Sequence, residues 1–154
     1  MSLLWKLFGG FEHDLAALRP GAYRFWVLAS RIGCVLALVA ITVFSLIPRA
    51  PDGSLLDLES HGLDDKVSHI LAYAALMGSA SWSLTTVKAR MLAFLGFVFY
   101  GFLMEMGQSF VSVTREGSLA DWAANIVGLM IGVWLAIWFA RWLIHFGGGR
   151  PEGG

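Results

Sequence analysis

Residues 119–140 read LADWAANIVGLMIGVWLAIWFA, with one charged side chain, Asp121, close to the start. As a helix this run reaches about 33 Å, enough to cross roughly 30 Å of hydrocarbon. Asp121, Asn125, Gly128 and Gly132 step along it by four, three and four, so one face carries a polar mouth above a seam of small residues. The Gly128-x-x-x-Gly132 spacing lets a second helix backbone come close. The run is therefore a membrane helix packed tightly on a neighbour.

Three more apolar runs lie upstream. One is centred on residues 32–47, begins near Phe25 and stops at Pro48; the others cover 67–87 and 91–110, broken only by His69 and Glu105. The chain is 57% hydrophobic and 14% charged, whereas soluble domains carry about 25% charged residues. The fold class is all-α: a bundle of four transmembrane helices with no separate soluble module. Residues 1–24 form an N-terminal cytoplasmic or interfacial segment, 25–144 the transmembrane domain, and 145–154 a glycine-rich disordered tail. Leu4, Leu7, Phe8, Phe11, Leu15 and Leu18 share one helical face, which suits an interfacial helix; the Gly9-Gly10 pair suits a partly ordered tail instead. The single cysteine, Cys34, excludes a disulfide within the chain and reads as a small buried hydrophobe.

Orientation follows from the flanking cations. Lys6, Arg19, Arg24, Arg31, Lys88, Arg90, Arg141 and Arg150 fall on one side, against Arg49, Lys66 and Arg115 on the other. This excess places both termini in the cytoplasm. The first apolar run follows Glu12 and Asp14 and lacks a small-x-small cleavage pattern, so it reads as a retained anchor. The expected location is the cell membrane, multi-pass, with loops 49–66 and 109–118 facing the periplasm or exterior.

The polar residues inside the apolar runs gather toward that outward side. Asp65, His69 and Tyr73 form one stripe at i, i+4 and i+8, and Glu105 and Gln108 share a face at i and i+3. Counting from Met91 puts Glu105 about 21 Å along its helix, roughly 9 Å below the outer boundary. An ionisable group at that depth needs an aqueous pocket, a proton or a cationic partner, and its default reading is functional. Arg115 is the natural partner and Lys66 the second.

Structural explanations compete with this reading. Ser118-x-x-Asp121 fits a capping box, in which Asp121 only starts a helix. Glu105 with Arg115 could be an ion pair that fixes packing, and Gln108 and Asn125 could be interhelical glue. His69 has no second histidine at ligand spacing, so no metal and no cofactor are expected. The seven tryptophans look like interfacial anchors and lipid-facing bulk. No basic nucleic-acid patch is present.

The same residues resemble the VanZ-like membrane proteins, a family named for an accessory protein of glycopeptide resistance. The likeness rests on Asp65-Lys66-Val67-Ser68-His69 with Tyr73, Glu105-Met106-Gly107-Gln108, Arg115, and Asp121 through Asn125, Gly128 and Gly132, in that order over residues 30–140. One departure is Ser112-Val113-Thr114 before Arg115, where the family pattern has a Pro-Gly type turn. The resemblance implies a four-helix membrane protein, with antibiotic resistance as one family role and no settled reaction.

The site offers three acids, two cations, one histidine and two amides. His69, Glu105 and Asp121 are the candidate catalytic residues, since a histidine beside carboxylates suits proton transfer. Asp65, Lys66, Tyr73, Gln108, Arg115 and Asn125 are the candidate binding residues, the two cations suiting phosphate or carboxylate. The expected function is to bind, and as an enzyme to modify, an anionic envelope lipid or lipid-linked precursor head group, in envelope maintenance or glycopeptide or lipoglycopeptide resistance. The alternative is a non-catalytic interaction or scaffold protein whose polar cluster is a structural network. Expected partners are membrane lipids or lipid-linked envelope precursors, and a second copy through the Gly128/Gly132 face.

Overall fold

The computed structural model describes residues 20–46, 62–111 and 118–146. The N-terminal segment, His61, Arg115 and the glycine-rich end lie outside the described residues. The described chain forms four helices: α1 (Pro20–Leu46), α2 (Gly62–Ser83), α3 (Val87–Val111) and α4 (Leu119–Phe146). Proline at the head of α1 loses no hydrogen bond, because the first amides of a helix have no partner within it.

The break between α2 and α3 falls at residues 84–86, so Val87 starts α3 instead of ending the second apolar run. Thr86 explains the shift. Its hydroxyl accepts a hydrogen bond from the Ala89 amide at 3.1 Å, and its carbonyl accepts one from the Arg90 amide at 3.1 Å. A threonine in this position satisfies amides that the first turn leaves over. Arg90 then folds inward, only 1% exposed, and donates from Nη1 to the Leu84 carbonyl at 3.0 Å. It closes the turn; it is not an exposed flanking charge. Arg90→Met is expected to cost about 2 kcal/mol, since it removes a charge-assisted hydrogen bond to a buried carbonyl. Thermal unfolding of the detergent-solubilised variant checks this.

Successive helices run antiparallel. Ser30 Oγ meets Ser83 Oγ at 2.9 Å across α1 and α2, and the Trp122 indole donates to the Val98 carbonyl at 3.1 Å across α4 and α3. The closest pair is α2 with α4, and these two run parallel. Lys66 faces Asp121, His69 faces Asn125, Ile70 faces Gly128 and Ala74 faces Gly132. A Cβ at Gly128 would lie 2.4 Å from the Ile70 carbonyl oxygen, and one at Gly132 would lie 2.4 Å from that of Ala74. The Gly128/Gly132 face, expected as a contact between copies, is covered by α2 of the same chain.

Three helices, over Gly21–Leu46, Val87–Phe110 and Leu119–Phe146, are long and apolar enough to cross a membrane, which makes this a multi-pass helical membrane protein. The second of the four expected spans, α2, does not reach that hydropathy. Its composition reflects its position. It carries Asp65, Lys66, His69 and several serines, and it buries Tyr73, Leu76 and Met77 almost completely against α1, α3 and α4. A helix covered by its neighbours has little contact with lipid and need not be apolar all round. The outer faces of α1, α3 and α4 carry the exposed apolar bulk, including Phe25, Val35, Leu92, Phe99, Trp134 and Trp138. Cys34 is half-buried.

Not every tryptophan faces outward. Trp82 is buried with Ala136 and Ala140 at the end of the bundle opposite the polar layer, edge-on to Phe139 at 5.8 Å.

Candidate functional site

The polar layer is assembled at one end of the bundle from the first turns of α2, the last turns of α3 and the first turns of α4. Asp65, Lys66, His69, Tyr73, Glu105, Gln108, Asp121 and Asn125 all lie on these turns, and Glu105, Gln108, Asp121 and Asn125 are buried. Of the nine residues singled out from the sequence, only Arg115 lies outside the described residues.

His69 is the hub. Its Nδ1 stands 2.9 Å from Asn125 Oδ1 on α4 and 3.8 Å from Glu105 Oε1 on α3. Both neighbours are acceptors, so Nδ1 carries a hydrogen and donates it to the Asn125 carbonyl. Its Nε2 stands 3.7 Å from Asp65 Oδ1, one turn earlier on the same helix. The i, i+4 stripe read from the sequence is thus a real contact, and it is continued across two other helices.

The carboxylates have separate partners. Lys66 Nζ lies 3.6 Å from Asp121 Oδ1, with the lysine side chain 43% exposed at the mouth. Glu105 Oε2 accepts from the Ser118 backbone amide at 3.2 Å. This second contact decides between two readings of Asp121. In a capping box Asp121 would reach back to the Ser118 amide. Ser118 does cap α4 through its hydroxyl, which accepts from the Ala120 and Asp121 amides at 3.2 and 3.3 Å. Its own amide, however, is taken by Glu105 from the neighbouring helix. Asp121 is left to turn into the site. Arg115, the first expected partner of Glu105, lies outside the described residues; of the contacts Glu105 makes, those to His69 and Ser118 tie α3 to α2 and to the start of α4.

Below His69 the site narrows. A Cβ at Gly101 would lie 3.2 Å from both Asn125 Nδ2 and Tyr73 Oη, so the missing side chain leaves room for these two groups. Neither atom has a hydrogen-bond partner among the described residues, and neither does Gln108 Nε2. Buried donors of this kind are normally satisfied by protein or ordered water. The next polar pair, Tyr100 Oη with Thr42 Oγ1 at 2.7 Å, belongs to α3 and α1. Beyond it lies an apolar layer formed by Ile41, Leu76, Met77, Leu129 and Val133, with Ser81 and Arg90 buried toward the far end.

Three roles escaped the sequence: Ser118 as amide donor to Glu105, Gly101 as the clearance for Tyr73 and Asn125, and the Thr42–Tyr100 bond. A lone glycine and a threonine inside apolar runs give no signal of such contacts, because the partner lies on another helix. Within the described residues the layer holds three carboxylates against Lys66 and His69, so it is acid-rich. Such a site can hold a cation or relay a proton between carboxylates through imidazole.

Comparison with protein-family models, with curated proteins and with solved structures returns no match.

Proposed function

We propose that all four helices cross the membrane, with both termini in the cytoplasm, and that the polar layer opens toward the periplasm or exterior. There it holds the head group of an anionic envelope lipid or lipid-linked precursor, with His69 as the group that moves a proton. The observation that carries this reading is the convergence of three helices on one histidine at one end of the bundle. Burying so many ionisable groups in one layer costs several kcal/mol, which stability alone does not require, since apolar replacements of similar shape often serve as well. The 22 residues of α2 reach about 33 Å, enough to span, although they are too polar to be recognised as a span by composition. The cation excess on the opposite flanks supports the orientation. The resemblance to VanZ-like proteins supports an envelope role, with glycopeptide or lipoglycopeptide resistance as one setting for it.

The structural-network reading has one observation in its favour. Glu105 accepts from Ser118 and so ties α3 to the start of α4. Two measurements separate the readings. Native mass spectrometry of the detergent-extracted chain is expected to show one bound anionic lipid, with occupancy falling about tenfold in Lys66→Gln, the loss of roughly one charge-assisted contact. His69→Ala is expected to fold and to lose the envelope or antibiotic-susceptibility phenotype. Equal lipid occupancy in wild type and Lys66→Gln, or loss of fold in His69→Ala, would favour the network.

A further inference from the structure

Three buried donors are left over once the contacts of His69, Glu105 and Asp121 are assigned. Tyr73 Oη, Asn125 Nδ2 and Gln108 Nε2 have no hydrogen-bond partner among the described residues, although their side chains belong to residues only 1%, 0% and 2% exposed. A buried donor without an acceptor is costly. Phenylalanine at position 73 would fill nearly the same space without that cost.

The donors are not scattered. Tyr73 Oη and Asn125 Nδ2 both stand 3.2 Å from the point where Gly101 would carry a Cβ, so one oxygen atom beside Gly101 can reach both. Gly101, Glu105 and Gln108 follow at i, i+4 and i+7 on α3 and share a face, which puts the Gln108 donor nearer the mouth. Asn125 cannot turn its amide over without giving up the 2.9 Å hydrogen bond from His69 to its Oδ1. Its Nδ2 is thereby held on the Gly101 side.

All three donors lie where α3 meets α2 and α4. This is also the looser side of the bundle, since α3 touches each of its neighbours less closely than α2 touches α1 or α4. The α2–α4 pair is fixed by backbone contact at Gly128 and Gly132. A small shift of α3 therefore makes room for a further oxygen at least cost.

The chemistry of the layer specifies that oxygen. The three donors are uncharged, and the carboxylates of Asp65, Glu105 and Asp121 repel an anionic oxygen brought among them. A hydroxyl satisfies both conditions: its oxygen accepts from amide and phenol, and its hydrogen goes to a carboxylate. We propose that Tyr73 and Asn125 bind one hydroxyl of the head group and Gln108 a second, the head group being of glycerol or sugar type, with its phosphate facing Lys66 at the mouth. This rests on the head-group reading and narrows it to anionic lipids whose head group carries hydroxyls.

The test is native mass spectrometry of the full chain in an amine-oxide detergent, which offers no hydroxyl of its own. Two lipids of equal charge are compared: phosphatidylglycerol, and phosphatidylpropanol, which lacks both head-group hydroxyls. Wild type is expected to retain phosphatidylglycerol about tenfold better, the worth of one or two neutral hydrogen bonds. Tyr73→Phe and Gln108→Leu are each expected to reduce that preference to about threefold. Gly101→Ala, whose methyl group enters the space between the donors, is expected to abolish it. The ratio of the two lipids is read within each variant, so a loss of folded protein does not mimic a loss of preference. Tyr73→Phe is also expected to unfold no earlier than wild type in the absence of lipid, because it removes a hydroxyl that costs stability.

Equal retention of the two lipids by wild type, the result expected if water meets these donors, overturns the proposal and leaves the head-group reading standing. A preference unchanged in Tyr73→Phe and Gln108→Leu overturns it as well. Retention of neither lipid overturns the head-group reading, and the proposal with it.

Discussion

Gly128→Ala is expected to leave little folded protein after extraction in mild detergent. The added methyl carbon would sit 2.4 Å from the Ile70 carbonyl oxygen, 3.0 Å from its Cα and 3.1 Å from its carbonyl carbon. All three are backbone atoms, so no side-chain rotation relieves the overlap. The helices must separate, and α2 and α4 form the closest contact in the bundle. Overpacking usually costs about 1–3 kcal/mol, and a rigid backbone contact at the bundle centre belongs at or above the top of that range. Gly132→Ala has the same problem against the Ala74 carbonyl and the Gly78 amide, at 2.4 and 2.8 Å. Gly96→Ala is the control. Nothing lies within 4 Å of its Cβ position, so the helical preference of alanine is expected to make it neutral or about 1 kcal/mol stabilising. Gel filtration and thermal unfolding of the three variants check the order, and a Gly128→Ala chain as stable as the Gly96→Ala chain would refute the packing account.

The second large effect is at Glu105, where charge and hydrogen bonding can be separated. Glu105→Ala removes the acceptor for the Ser118 amide and leaves a gap beside His69, at an expected cost of about 2–4 kcal/mol. Glu105→Gln keeps an oxygen of the same reach for Ser118 and is expected to cost less than about 1 kcal/mol. The two variants should therefore differ in unfolding temperature and agree in phenotype, because both take the charge away from the imidazole. If Glu105→Gln unfolds as readily as Glu105→Ala, the charge itself holds the bundle together.

Much of this layer is legible along the chain. Asp65, His69 and Tyr73 recur at helical spacing within α2, as do Glu105 and Gln108 within α3, and spacing within one helix fixes which side chains share a face. The Gly128-x-x-x-Gly132 seam announces a close neighbour without saying which. The α2–α3 turn falls a few residues before the break in the apolar pattern, because Leu84 and Val87 continue that run and the decisive cap at Thr86 is a single polar side chain.

The sequence by itself determined that the chain is a helical membrane protein, because length and hydropathy allow hydrogen-bonded backbone in lipid only as helices of this reach. It also determined which residues have to be accommodated in the polar layer. Only the tertiary structure decided their pairing. It set α2 against α4 in parallel, gave the Ser118 amide to Glu105 in place of Asp121, and turned His69 between acceptors from three helices. Spacing along a helix is local, whereas the partner across an interface depends on how closely two backbones can approach, and here two glycines set that distance.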